Sequence, residues 1–403
     1  MGSAVPAPAT TAAALLGPEA LADVARAPLG AYLHVPFCAA RCGYCDFTTY
    51  TASELPGGGH RAGWADAARA ELALAARELG DDHPPVSTVF FGGGTPTLLP
   101  PEDLIAALRG VEEHLGLAPG AEVTTEANPE SVDPASLAAL RAGGFTRLSL
   151  GMQSAAPGVL ATLDRVHTPG RAVAAVGEAR AAGFEHISLD LIFGTPGESA
   201  EDWERTLDAA LEAEPDHVSA YGLIVEPGTA MAAQVRRGLL PAPDPDEQAD
   251  RYLAAAERLE AAGLRWYEVA NFSRTEAARC HHNINYWRSG TWWGVGPGAH
   301  SHAGGVRWSN VRHPTAWAKA IAAGEVPLAD REELDGPTRR FERIMLGVRL
   351  AEGLDARELS REGRRAAVRL RDDGVVTLED DDRVRLTLRG RLVADAVTRE
   401  LTD

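Results

Sequence analysis

Cys38, Cys42 and Cys45 stand in the spacing C-x3-C-x2-C, in the run Cys38-Ala-Ala-Arg-Cys42-Gly-Tyr-Cys45. The chain holds four cysteines, and three of them fall within eight residues. Three thiols in so short a loop form a chelate, and thiolate-only ligation favours zinc or an iron–sulfur cluster. The odd number leaves one coordination position without a protein ligand. A structural zinc would close that position with a nearby side chain, for which His34 and Cys280 are the candidates. A [4Fe–4S] cluster on three thiolates offers its fourth iron to a small molecule instead, as a reactive centre requires.

Other polar residues sit where strands should end. Gly92-Gly93-Gly94-Thr95-Pro96-Thr97 follows a β-branched and aromatic run, and its glycines would let backbone approach a ligand closely. Glu126 precedes Ala-Asn-Pro, Gln153 closes Leu-Ser-Leu-Gly-Met-Gln, and Asp190 interrupts the apolar run Ile-Ser-Leu-Asp-Leu-Ile-Phe. A buried carboxylate is costly unless it has partners, so Asp190 points to function. Arg165 follows in Leu-Asp-Arg-Val-His. The bland alternatives are a flexible turn at the glycines, a turn cap at Glu126 and a solvated surface arginine at Arg165.

The elements that must position these residues alternate. Strands are expected at 31–37, 86–91, 122–127, 147–153, 186–193 and 217–224, and helices at 60–79, 102–115, 134–142, 170–182 and 200–212. Six strand–helix units imply parallel pairing with right-handed crossovers. An α/β partial (β/α)6 barrel over residues 29–235 and an open doubly wound sheet both give this pattern. The barrel is favoured because chemistry collects at the C-terminal ends of barrel strands.

The domain reading assigns 1–28 to a flexible Ala/Pro/Thr-rich tail, 236–330 to a connecting region and 331–403 to a separate α+β domain. That last domain has helices over 336–350, 355–373 and 389–401, with a hairpin of 375–379 and 383–388 across acidic 380–382, and it resembles a winged helix. Residues 352–403 carry eleven arginines against thirteen acidic residues, so a lid or docking role is expected and DNA binding is not.

Composition narrows the classes. The net charge of −18 argues against a nucleic-acid surface. Lys319 is the lysine of this chain and every other basic residue is arginine, which reads as genomic codon bias. The cysteine pattern fits a reducing compartment better than a disulfide framework. The N-terminal stretch lacks the basic start of a signal peptide, and no apolar run reaches the eighteen residues of a membrane span. A cytoplasmic protein without stable membrane insertion is expected.

The cysteine spacing resembles that of the radical S-adenosylmethionine (SAM) superfamily, in which SAM chelates the free iron and is cleaved to a 5′-deoxyadenosyl radical. Tyr32, His34 and Pro36, then Phe91-Gly-Gly-Gly-Thr-Pro-Thr97, Leu148-Ser-Leu-Gly-Met-Gln-Ser154 and Asp190-Leu-Ile-Phe-Gly-Thr-Pro-Gly197, resemble the oxygen-independent coproporphyrinogen III oxidase family. The resemblance implies SAM contacts at Tyr32, Tyr44, Gly93, Gly94, Thr95, Glu126, Gln153, Arg165 and Asp190. It also implies a one-electron donor of flavodoxin or ferredoxin type, and it leaves a homodimer open. Oxidases of that family carry a fourth cysteine two residues after the third, where this chain has Phe47. The Cys45-Asp46-Phe47 ending resembles the haem-chaperone branch. So does His282-Asn283-Ile284-Asn285-Tyr286-Trp287, followed by Gly294-Val-Gly-Pro-Gly-Ala-His-Ser301. That branch implies haem as a third cofactor, with His282 as its axial ligand, and an acceptor protein for it. The alternatives are the anaerobic oxidase itself and a zinc-dependent binding module.

Overall fold

The structure is a computed structural model that describes residues 15–55, 61–165, 167–379 and 382–402. Its centre is a run of six parallel strands in chain order: β1 (Leu29–Val35), β2 (Val86–Gly93), β3 (Leu117–Ala127), β4 (Arg147–Gln153), β5 (His186–Phe193) and β6 (His217–Gly222). Sequential parallel order decides for the partial barrel over the doubly wound sheet, whose strand order reverses at a switch point.

Alternation along the strands gives the sheet two unlike faces. Ala31, Leu33 and Val35 on β1, Val89 and Phe91 on β2, Leu148 and Leu150 on β4, and Leu189 and Leu191 on β5 all belong to one buried apolar core. They face the outer helices, which pack in chain order around the strands: Trp64–Leu79, Pro101–Leu115, Pro134–Ala142, Arg171–Ala181, Ala200–Glu212 and Pro245–Ala261. The residues between them are Tyr32, His34, Thr88, Glu126, Ser149, Ser188, Asp190 and Ser219, and they line the opposite face. A period-two pattern therefore gives a dry outer layer and a polar lumen.

The region read as a connection extends that same sheet. β7 (Arg265–Glu268) and β8 (Asn271–Ser273) form a hairpin, and β8 lies antiparallel against β6. On the other edge β9 (Thr291–Val295) runs parallel to β1, followed by the antiparallel strands β10 (His300–Ala303), β11 (Val306–Asn310) and β12 (Leu328–Glu333). Twelve strands result, and β1 and β6 do not pair. Residues 236–330 are thus part of the barrel unit. Short segments with few alternating positions hid these strands from the sequence pattern.

The N-terminal expectation needs a second correction. Residues 1–14 lie outside the described residues, but Pro18–Val24 is a helix rather than tail. Leu15, Leu16, Ala20 and Val24 are buried in the main core, and a Cβ on Gly304 would stand 2.4 Å from Ala20. The expected start of the second helix, His60, also lies outside the described residues, and the helix begins at Trp64.

The C-terminal unit has its own core of Ile344, Val348, Leu370, Val384 and Leu401. Helices Gly336–Gly347, Arg361–Asp372 and Ala394–Thr402 surround β13 (Leu354–Asp355), β14 (Val376–Leu378) and β15 (Arg383–Leu386) in the order β13-β15-β14. The expected hairpin is β14–β15, and β13 adds a third strand. The helix expected over 355–373 starts only at Arg361, because the Ser360 hydroxyl caps it by accepting from Gly363 N at 2.9 Å. Of the acidic 380–382 turn, residues 380 and 381 lie outside the described residues.

Leu189 is fully buried on the outer face of β5. Leu189→Ala should lower the unfolding free energy by about 2–5 kcal/mol. Ser199→Ala, which removes the cap of helix Ala200–Glu212, should cost about 1 kcal/mol. Denaturant titration of both variants checks the order.

Candidate active site

A cavity of about 750 Å³ opens at the C-terminal ends of the strands. Cys38, Cys42, Tyr44 and Cys45 line it together with Gly93, Gly94, Thr95, Glu126, Gln153, Arg165 and Asp190. Residues spread over 150 positions of sequence thus meet in one space. That size lies toward the upper end of the ~300–1,000 Å³ of single-ligand sites, so there is room for a nucleotide and more.

The cysteine loop is held at both ends. Cys38 N donates to Tyr50 O at 3.0 Å, and Tyr50 N donates to Pro36 O at 2.7 Å. His34 Nε2 bonds Thr48 O at 2.8 Å, and its Nδ1 bonds the Tyr32 hydroxyl at 2.9 Å. Burial lowers His34 to about 4, so the ring is neutral. From β2, Gly94 N donates to Val35 O at 2.8 Å and Thr95 N to Phe37 O at 2.8 Å. A Cβ on Gly94 would stand 2.6 Å from Phe37 O, and one on Gly93 (φ +106°) 2.4 Å from the His34 ring. The glycines let β2 press against the chain that leads into the cysteine loop.

Burial raises the Cys38 thiol and pushes Cys45 to about 11. The Arg165 guanidinium supplies compensating charge. Its Nη1 lies 3.6 Å from Cys42 Sγ and its Nη2 donates to Gly151 O at 3.0 Å. The side chain of Gln153 enters the cavity from a backbone at φ +64°, an uncommon conformation for a residue other than glycine and one that collects at functional sites.

The donor set fits a cluster better than a single ion. Among the described residues no three His, Cys, Asp or Glu side chains converge on one metal position. Zinc needs four donors around one centre, whereas a [4Fe–4S] cubane takes each thiolate on a different iron, so three loop cysteines fit a cluster with one iron left for a small molecule. The two side chains expected to close a zinc site are used elsewhere. His34 is bonded through both nitrogens, and the buried Cys280 lies 3.8 Å from Glu122 Oε1 on β3.

Glu126 and Asp190 face the cavity from the barrel strands, and among the described residues neither has an ion-pair partner. Glu126 accepts from Gly93 N at 3.1 Å, and burial, followed by the Asp190 charge, raises it to about 8. Asp190 accepts from Ser149 Oγ at 3.0 Å, and burial raises it too. Sequence reasoning missed Ser149 and Ser219, the hydroxyl partners of Asp190. Their alternate positions on β4 and β6 were the available signal. It also missed Ile224, 68% exposed, which shares the cavity's apolar rim with the 61% exposed Phe47.

Two expected site residues lie elsewhere. Tyr32 sits in the lumen below the cavity, with its ring stacked on Phe90 at 6.3 Å. His282 lies on the helix His281–Trp287, which covers the N-terminal ends of the strands, opposite the cysteines. Glu122 caps this helix, accepting from His281 N and His282 N at 3.0 Å each. The His282 ring is 0% exposed, with Nδ1 bonded to Thr88 Oγ1 at 2.9 Å and Nε2 to the Tyr286 hydroxyl at 2.7 Å. Burial drives it down to about 3. In this arrangement neither nitrogen is free for an iron. The next turn faces β7, where the buried Glu268 accepts from Asn283 and Trp287 and rises to about 8.

A parallel six-strand partial barrel with a three-cysteine loop after its first strand defines a radical SAM protein, and residues 32–210 match the model of the radical SAM superfamily. The chain is 54% identical over 381 residues to the heme chaperone HemW of Mycobacterium tuberculosis, covering 94% of this chain and 96% of that protein. It is 33% identical over 331 residues to the heme chaperone HemW of Bacillus subtilis, covering 82% and 86%. The solved structure of coproporphyrinogen III oxidase HemN of Escherichia coli, a radical SAM enzyme, shares the fold with a TM-score of 0.80 at 23% identity, covering 95% of this chain and 92% of that one. The chain belongs to the HemW family of the radical SAM superfamily, whose membership implies a [4Fe–4S] cluster and SAM.

The raised Glu126 has a stability consequence. Its carboxyl holds a proton more tightly in the folded chain than in the unfolded one, where its ordinary value is 4.5. Its presence therefore costs nothing below pH 4.5, and the cost grows as pH rises to about 8. Glu126→Gln should lose less thermal stability between pH 5 and pH 8.5 than the wild type, as read by melting curves at the two pH values.

Proposed function

We propose that this protein is a haem chaperone that carries a [4Fe–4S] cluster on Cys38, Cys42 and Cys45, takes SAM in the barrel cavity, and passes haem to an acceptor protein. Phe47 carries the choice over the oxidase reading. It occupies the position of the fourth oxidase cysteine and stands exposed on the cavity rim. When bound, the cluster supplies the electron that cleaves SAM, and a one-electron donor of flavodoxin or ferredoxin type recharges it.

The chain's own groups divide the remaining work. Arg165 offsets thiolate charge at Cys42. Tyr44 and the Gly93–Thr95 backbone bound the space for the nucleotide, and Glu126, Gln153 and Asp190 offer polar contacts to it. Haem engages the segment that starts at His282, whose outer aromatic surface is Tyr286 packed edge-on to Trp292 at 4.5 Å. Ligation by His282 requires the buried ring to give up Thr88 or Tyr286 and become accessible to the iron. Among the described residues no helix is long and apolar enough to cross a membrane, which is consistent with a cytoplasmic site of action.

Anaerobic reconstitution should load the wild type with the full cluster, and Cys42→Ser should hold little iron. Haem titrated into the loaded protein should bind stoichiometrically, and His282→Ala should weaken it about tenfold or more, at least the cost of losing an outer support of a metal site. Equally weak, non-saturating absorption changes in both proteins would remove the chaperone reading. Turnover of coproporphyrinogen III without oxygen would replace it with the oxidase.

A further inference from the structure

Glu71 is a buried acid that the site as described leaves unused. It lies on helix Trp64–Leu79, is 2% exposed, and has no cationic partner among the described residues. Three donors converge on its carboxylate: Gly296 N at 2.8 Å, Trp317 Nε1 at 2.7 Å and Asn310 Nδ2 at 2.6 Å. Asn310 Nδ2 also donates to Gly296 O at 2.9 Å. A carboxylate accepts from all three donors, whereas a glutamine would turn its own N–H groups toward at least one of them.

Gly296 matters because of what it touches. At φ +103° it lies so close to β1 that a Cβ there would stand 2.4 Å from His34 O. A Cβ on Gly298 would stand 2.8 Å from Thr48. His34 precedes the cysteine loop and Thr48 follows it, and the two are joined by the His34 Nε2–Thr48 O bond. Trp64, on the same helix as Glu71, donates from Nε1 to His34 O at 3.1 Å. The glycine segment 294–298 is therefore wedged between the buried carboxylate and both ends of the cysteine loop.

We propose that Glu71 is a positioning residue for the iron–sulfur site: by clamping Gly296 it sets the spacing of the cysteine loop that receives the cluster. The proposal rests on the reading that Cys38, Cys42 and Cys45 hold that cluster. It makes a segment some 250 residues downstream part of the cluster's support, and it gives the glycines after the His282 helix a reason for being there. Outer supports of a metal site fix the first ligands through contacts of this kind.

The test compares anaerobically reconstituted wild type, Glu71→Gln, Trp317→Phe and Leu140→Ala. Leu140→Ala opens a cavity in the outer core and serves as a control for general destabilisation. Iron release to a chelator and the electron paramagnetic resonance signal of the reduced cluster are read beside each melting temperature. Glu71→Gln should release iron about tenfold or more faster than Leu140→Ala, with a changed resonance line shape. Trp317→Phe, which removes one donor and keeps the carboxylate, should move both readouts less in the same direction. If Glu71→Gln does not fold, Trp317→Phe alone decides by the same comparison. Iron release and resonance signals no different from Leu140→Ala would overturn the proposal while leaving the cluster reading intact. A wild type that takes up no cluster would overturn both.

Discussion

Polar groups are buried inside this barrel where an ordinary domain would place aliphatic ones. Taking a carboxylate out of water is expensive, and the chain meets that expense with hydroxyls and backbone amides rather than ion pairs. Glu126 leans on Gly93 N, and Asp190 on Ser149 and Ser219. Both carboxyls are held toward their neutral forms. Such a lumen persists because the opposite face of the central strands is largely apolar and buried. Leu148, Leu150, Leu189 and Leu191 supply the apolar burial under the helices that makes the polar interior affordable.

The two mouths of the barrel are finished differently. The cysteine loop and an exposed apolar rim leave the C-terminal mouth open. The N-terminal mouth is covered by helix His281–Trp287, whose start is satisfied by Glu122 and whose sides are satisfied by Thr88, Tyr286 and Glu268. The polar residues of the His282–Trp287 string thus serve the fold before they serve any ligand. Tyr32 lies between the two ends. Its hydroxyl meets His34 under the cysteine loop, and its ring lies 6.4 Å from that of His282.

Much of this was legible in one dimension. Short apolar and β-branched runs located the six central strands to within a few residues, and apolar residues at helical spacing did the same for the helices between them. The cysteine spacing, the polar residues at strand ends and the family resemblance named Cys38, Cys42, Cys45, Glu126, Gln153, Arg165 and Asp190 among the cavity's lining, and left out others such as Ser149, Tyr221 and Ile224. The failures share a cause. Strands of three to five residues such as Asn271–Ser273 and Thr291–Val295 are too short to show a period, so the sheet's two extensions read as linker. Leu15, Leu16, Ala20 and Val24 occur in an alanine-rich stretch whose helical face carries little contrast.

By itself the amino-acid order determined the chemistry on offer: three thiols one ligand short, carboxyls at strand ends, and imidazole among aromatics. Those properties depend on residue type and spacing within a few positions. Only the tertiary structure decided which of them share a space. It put His282 in the floor with both nitrogens spent, and it seated Gly296 against the cysteine loop under Glu71. Partners such as Glu71 and Gly296 are 225 positions apart. Their meeting is set by how helices and sheet edges pack, and no local pattern in the chain encodes it.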